Sequence, residues 1–405
     1  MASVLDALLS DVDGLHPELR EVRHDIHQHP ELGFEEVRTQ AKVRAWLEAR
    51  GYDPRPCAET GLIADLHPGR HGTEKTIALR ADLDCLPMQE HTPLSYRSVH
   101  DGRAHKCGHD GHTTILMGVA DVLARHRDQI PGNVRLVFQP AEEGVRGGGA
   151  KVMVAEGALD GVSEIYGLHN WPAWPKGQVR VAPGPLMAHV NEIGIQLTGK
   201  GAHGSQPQVS RDPIVAGAHL VTSLQTVVSR GLGYEGGAVL SICQFHAGEA
   251  NNVIPNTARL TGTLRTFSME VTERVLARLE EVVSGVEPMF GVKAELEIRR
   301  GYPVLENDPV CAEAVARVAR ELVGPERVTR EDLPMAGGED FAYFTQAIPG
   351  AYFFLGAGLP AGDTPGCHHP DFDFDDDLIP LGMRVFLGLV NDRLGVHGSS
   401  LDAAP

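Results

Sequence analysis

The chain has no surplus of basic residues, no closely spaced cysteines and no long uncharged apolar run, and each absence removes a class of function. Its 36 Lys and Arg against 54 Asp and Glu leave a formal charge of -18, whereas nucleic acid and anionic membrane surfaces reward clustered cations. Neither is expected as a partner. The six cysteines (Cys57, Cys85, Cys107, Cys243, Cys311, Cys367) are scattered and form no CxxC, which fits neither a secreted disulfide scaffold nor a dithiol redox centre. No stretch reaches the roughly 18 apolar residues of a membrane helix. Residues 1–13 contain no Lys or Arg, unlike the basic start of a signal peptide. A soluble, cytoplasmic protein is the expectation. With 42% apolar and 22% charged residues over 405 positions, the chain reads as globular and long enough for two or three domains.

What is present is concentrated in a few places. His105-Lys106-Cys107-Gly108-His109-Asp110-Gly111-His112 gathers a thiol, three imidazoles and a carboxylate into eight residues with no bulky hydrophobe. A core has no use for that composition. A thiolate and an imidazole two residues apart can meet one transition metal, and the two glycines let the backbone fold tightly around it.

Around this stretch, helix and strand patterns alternate. Apolar spacing predicts helices over 17–28, 36–50, 113–127, 309–323 and 378–390, and strands from 76, over 133–138, over 165–168 and over 351–355. Three strands deliver polar side chains just past their carboxyl ends: Asp82 and Asp84, Glu142 and Glu143, then His169. Ligand crevices of open α/β sheets lie there, so these residues are expected to converge. His27 and His29 are assigned to hydrogen-bonded positions away from the ligand set. The acidic run 371–377 is read as carboxylates favouring the positive end of the closing helix.

From about residue 188 the order becomes βαββαβ, the split βαβ or ferredoxin-like unit, about 110 residues and sufficient for its own core. The expected division is therefore a first part of one domain over 1–187, an inserted domain over 188–301, and the remainder of the first domain over 302–405. The fold class is α/β.

The candidate ligands are Cys107, His109, Glu143, His169 and one of His368 and His369, with Asp82 and Asp84 nearby. That exceeds the four positions of one structural zinc site and suits a pair of divalent ions of the kind used by aminopeptidases and related hydrolases. In Glu142-Glu143 one carboxylate can bind metal while its neighbour stays free as general base.

In combination, the motifs HQHPELGFEE, RADLDCLP, HKCGHDGH, FQPAEEG, GLHNWP, GKGAHGSQP, NVIPN, GTLRTF, GGEDFAYF and HHPDFDFDD resemble the M20 metallopeptidases. Within them they resemble the amidohydrolase branch of hippurate hydrolases, N-acyl-amino-acid amidohydrolases and plant auxin-conjugate hydrolases. The resemblance runs from about residue 27 to 376. Where most of the family outside this branch has His-x-Asp-x-x-Pro, this chain has Asp82 in place of the His, so the site must be the branch's Cys/His version. The resemblance implies a zinc-peptidase-like catalytic domain with an inserted lid that also mediates a homodimer or higher oligomer. It implies metal binding by Cys107, His109, Glu143, His169 and His368, with His369 replacing His368 if the register slips by one. Glu142 would be the base and Asp84 the carboxylate that orients a ligand. His203 would polarise the scissile carbonyl, Asn252 and Arg265 would hold a substrate carboxylate, and the Gly338 backbone would meet the substrate. Two departures stand out: Gln208 replaces a frequent His, and Gly338 a frequent Ser.

The expected activity is hydrolysis of a small-molecule N-acyl amino acid to a carboxylic acid and a free amino acid. It would use two divalent ions, zinc first, with manganese, cobalt or nickel as alternatives. Rival readings are a dipeptidase or aminoacylase with the same machinery, a non-catalytic ligand-binding homologue, and a thiol enzyme with Cys107 as nucleophile.

Overall fold

The computed structural model describes residues 4–69, 75–233, 236–359 and 364–395. Two compact units emerge, one of Met1–Leu186, Glu306–Leu333 and Asp340–Pro405, the other of Met187–Leu305 and Pro334–Glu339.

The first unit is built on an eight-stranded mixed sheet. In spatial order its strands are Arg55–Cys57, Gly61–Asp65, Asn133–Gln139, Thr76–Asp82, Glu164–Pro175, Gly350–Gly358, Val179–Arg180 and Val328–Thr329. Thr76–Asp82 runs parallel to both neighbours, and Glu164–Pro175 runs parallel to Gly350–Gly358. Every residue of Thr76–Asp82, Asn133–Gln139 and Gly350–Gly358 is buried. Strands covered on both faces have no need to alternate, which is why they read as continuous apolar runs. Helices Val12–Gln28, His109–Arg125, Pro309–Val323 and Leu378–Leu394 pack together and against the sheet. Their core includes Leu19, Ile26, Leu116, Val119, Val315 and Phe386. Each such side chain contributes about 1.5–3 kcal/mol by leaving water.

Three boundaries differ from expectation, each for a physical reason. The first long helix begins at Val12, with Pro17 inside it; a proline reads as a helix start because its missing N–H is harmless only in the first turn. The helix expected from Thr113 starts at His109, so Gly111 lies within it. A Cβ there would meet the Phe374 ring at 2.4 Å, and close packing therefore takes precedence over helix propensity. The third strand does not stop before His169 but continues to Pro175, sustained by Gly350–Gly358 with Phe354 opposite His169. On its other side the last pair with Thr76–Asp82 is Arg80 with Gly167. His169 thus lies two residues beyond that neighbour's ladder, which leaves one side open.

The second unit has four antiparallel strands in the order Ala238–Ala247, Thr257–Thr266, His189–Thr198, Lys293–Arg300, with helices Pro213–Ser229 and Met269–Phe290 packed on them. Chain order is βαββαβ. Its separate core holds Ile193, Ile195, Leu220, Leu264 and Leu279. The ends of this segment meet: Gly301 N donates to Val190 O at 2.8 Å and Val190 N to Tyr302 O at 3.1 Å. Among the described residues no helix is long and apolar enough to cross a membrane.

Candidate metal centre and active site

Gly108 precedes the helix that carries His109, with φ of 111°, and a Cβ on it would sit 1.9 Å from Asn170 Oδ1. Only glycine accepts both conditions. This turn places Cys107 and His109 at a helix start, opposite the ends of the central strands. The Cys107 sulfur lies 3.2 Å from His169 Nε2. Ligand atoms of Cys107, His109 and His169 lie within 4.8 Å of one another, as do those of Cys107, Glu143 and His368, and those of His109, Glu142 and Glu143. His368 Nε2 is 3.4 Å from Glu143 Oε1. His109 Nε2 is 3.9 Å from both Glu142 Oε2 and Glu143 Oε1.

Neighbouring groups fix which ring nitrogen faces inward. His109 Nδ1 is 3.0 Å from the Asp84 carbonyl and 3.2 Å from its carboxylate. His169 Nδ1 is 2.6 Å from the Asn170 carbonyl. With both Nδ1 atoms donating to oxygens, both Nε2 lone pairs face the cluster, that of His169 toward the Cys107 sulfur and that of His109 without a hydrogen bond. Asp84 also accepts from Glu143 N at 2.9 Å, tying the carboxylate turn to His109.

His109 Nε2 and Glu143 Oε1 are buried and make no hydrogen bond. Buried polar atoms are ordinarily partnered. Two orphans beside a thiol and two more imidazoles form a donor set that a cation satisfies, so these residues fit the metal the sequence implies. The neighbouring Cys367 thiol, burial and the Glu143 charge push the Cys107 thiol well above its ordinary range. A cation that takes up the thiolate reverses that preference.

The structure therefore gathers Cys107, His109, Glu142, Glu143, His169 and His368, with Asp84 behind them. His369 is not in these groups; its Nδ1 accepts from Asp371 N at 3.1 Å. Asp82 is fully buried and engaged by Arg80 at 2.6 Å and His112 Nδ1 at 2.7 Å. His203, Asn252, Arg265 and Gly338 all belong to the second unit. There His203 pairs with Val253 in a short ribbon, Gly204 N donates to Asn252 O at 2.7 Å, and His203 bonds Ser205 Oγ at 2.8 Å. Arg265 is half-buried on the four-stranded sheet, lining a groove with Glu192, Thr263 and Arg259. A Cβ on Gly338 would meet Val190 at 2.6 Å, which accounts for glycine where serine is frequent.

Several supporting residues acquire their role only from what they touch. His112 uses both nitrogens, on Asp82 and on Asn170 Oδ1 at 2.7 Å, so it ties the end of one strand to the middle of its neighbour. His27 is buried between Asp110 at 2.8 Å and Glu90 at 3.2 Å. Lys106 Nζ donates to Glu90 at 2.7 Å and to Phe372 O at 2.6 Å. Glu36 accepts from Ala141 N at 2.8 Å and from the Thr60 hydroxyl, holding Ala141 at φ of 55° immediately before Glu142. Burial and the nearby Asp84 charge raise the Glu36 carboxyl to about 7.

The model of "Peptidase family M20/M25/M40" matches residues 78–392. An "N-acetylcysteine deacetylase" of Bacillus subtilis (strain 168) is 40% identical over 376 residues, 92% of this chain and 96% of that relative. "IAA-amino acid hydrolase ILR1-like 4" of Arabidopsis thaliana is 37% identical over 379 residues, 92% of this chain and 85% of that relative. A Bacillus subtilis structure described as a dinuclear metal binding peptidase from M20 family aligns with a TM-score of 0.81 at 36% identity, covering 95% of this chain and 100% of that one. The chain belongs to the M20/M25/M40 peptidase family, in its amidohydrolase branch, and is a hydrolase of amide bonds.

Proposed function

We propose that the chain hydrolyses N-acyl amino acids to a carboxylic acid and a free amino acid, with two divalent cations held by Cys107, His109, Glu143, His169 and His368. The observation that carries this reading is the Glu142 carboxylate beside the orphaned His109 Nε2 and Glu143 Oε1. Thiolate, imidazole and carboxylate donors together favour zinc, with manganese, cobalt or nickel as alternatives. When bound, the cations supply Lewis-acid polarisation of the scissile carbonyl and lower the pKa of water.

The chain's own groups do the rest. Glu142 Oε2 accepts the proton of the attacking water and returns it to the amide nitrogen as the C–N bond breaks. Asp84 holds His109 in the tautomer that presents Nε2. His203 donates toward the carbonyl oxygen as it gains charge, Arg265 and Asn252 grip the carboxylate of the amino-acid half, and the Gly338 backbone lies along the substrate. The segment 188–301 serves as lid and homodimer contact. The names of two relatives, which specify N-acetylcysteine and IAA-amino acid, support an N-acyl amino acid over a dipeptide.

The test is release of free amino acid by metal-stripped protein from N-acetyl amino acids, hippurate and dipeptides, with and without zinc, cobalt or manganese. Metal-dependent release is expected, fastest from an N-acyl amino acid. Absence of release with metal bound by calorimetry overturns the reading, and faster dipeptide cleavage replaces the substrate class.

A further inference from the structure

Two of the scattered cysteines meet at the ligand cluster. His368 N donates to Lys106 O at 2.6 Å, so one backbone hydrogen bond ties the residues flanking Cys107 and Cys367. The Cys367 sulfur lies 3.6 Å from the Cys107 carbonyl oxygen, and the two thiols are in contact. Cys107 is buried, whereas Cys367 is partly open to solvent; Cys57, Cys85 and Cys311 are buried and Cys243 lies in the second unit. The proposed hydrolysis has no use for Cys367.

We infer that Cys107 and Cys367 form a reversible disulfide when a hydroperoxide reaches the metal-free site, withdrawing Cys107 from the ligand set. This rests on Cys107 being a ligand. The accessible Cys367 sulfur attacks the peroxide; an S–O bond forms, the O–O bond breaks, and the departing oxygen leaves as water or alcohol after taking up a proton. The Cys107 sulfur then displaces hydroxide from the Cys367 sulfenic acid, which leaves as water, and the S–S bond closes. Two thiols lose two electrons, and the peroxide O–O bond gains them. A dithiol returns both electrons and two protons by exchange. A thiolate held by a cation is not free for the second step, so a loaded site resists closure.

The experiment treats full-length protein, metal-stripped or zinc-loaded, with hydrogen peroxide. It then counts free thiols, maps peptides without reduction, and measures zinc binding by calorimetry before and after dithiothreitol. The stripped wild type is expected to lose two thiols per chain into one cross-link joining positions 107 and 367, to lose zinc binding at least tenfold, and to regain it on reduction. The loaded protein is expected to keep both thiols free of a cross-link. Cys367→Ser and Cys367→Ala should bind zinc within about threefold of wild type, form no cross-link, and keep zinc binding after peroxide, because the thiol that meets the oxidant is gone and Cys107 is buried. A stripped wild type that binds two zinc ions yet never cross-links, or that cross-links other cysteines, overturns this inference alone. A 107–367 cross-link that leaves zinc binding unchanged overturns it together with the assignment of Cys107 as a ligand.

Discussion

Glu142 and Glu143 are neighbours of one chemical type in different surroundings. Both lie near His109, but only Glu143 also groups with His368 and Cys107. With Glu142 as the proton carrier, Glu142→Gln lowers kcat by about 10²- to 10⁴-fold while zinc binding by calorimetry is retained; turnover within a few-fold of wild type removes the residue from that role. Glu36 acts one step behind, through Ala141. Its carboxyl, raised by burial and Asp84 from 4.5 to about 7, is held protonated in the folded chain across a window where the unfolded chain has already released the proton. Its contribution to stability therefore falls as pH rises from about 4.5 to about 7. Glu36→Gln removes that slope, so the Tm of the variant gains on wild type as pH rises from 5 to 7.5. Glu36→Ala leaves the Ala141 N–H unaccepted and costs about 1–3 kcal/mol by urea denaturation at pH 5.

At the scale of elements, the closing helix Leu378–Leu394 is fastened to the sheet through Glu164, which accepts from Arg393 at 2.7 Å and Lys75 at 2.6 Å. Burial pulls the Glu164 carboxyl upward, but Arg393, Lys75 and Tyr166 hold it down at about 2. Its contribution is present above about pH 4.5 and is lost as pH falls toward 2; in Glu164→Gln the Tm is lower at neutral pH and declines less steeply over that acid window. The elements themselves were legible where burial is uniform, as in Asn133–Gln139, or where helical spacing is unbroken, as in Pro309–Val323. The start of Val12–Gln28 was hidden by Pro17, and the length of Glu164–Pro175 depended on a partner strand almost 200 positions away. The convergence of Cys107, His109, Glu143, His169 and His368 was legible because their residue types are chemically unusual in company. His27 was read as a hydrogen-bonded group outside the ligand set, but its partners, like the roles of His112 and Glu36, were not legible, since a lone imidazole or carboxylate acquires meaning only from what it touches. The acidic run 371–377 does more than flank a helix end: Asp373 and Asp376 pair with the buried Arg23, and Asp375 and Asp377 pair with Lys176.

At the scale of the molecule, the paired ends of the second unit make the segment separable. Replacing residues 191–300 with a short Gly/Ser linker leaves the chain on either side joined over a small gap, and the ligand cluster lies wholly in the first unit. The shortened chain is expected to bind zinc within about tenfold of the full chain while hydrolysis falls at least 100-fold, because His203, Asn252 and Arg265 go with the segment. Zinc binding lost along with the segment refutes that independence; hydrolysis kept without it refutes the roles given to those three residues. The same arrangement gives the chain an order of completion on the ribosome. Cys107, His109, Glu143 and His169 emerge first, then the entire second unit, which has its own core and no need to wait. The strand Gly350–Gly358 and His368 follow roughly 200 residues after His169, which at about 5–20 residues per second is a delay of some 10–40 s. Under the proposed assignment four of the five ligands are made before that interval and His368 after it, so the last strand of the central sheet arrives almost together with the last of them. With those ligands, completion of the metal centre and closure of the sheet coincide late in the birth of the protein.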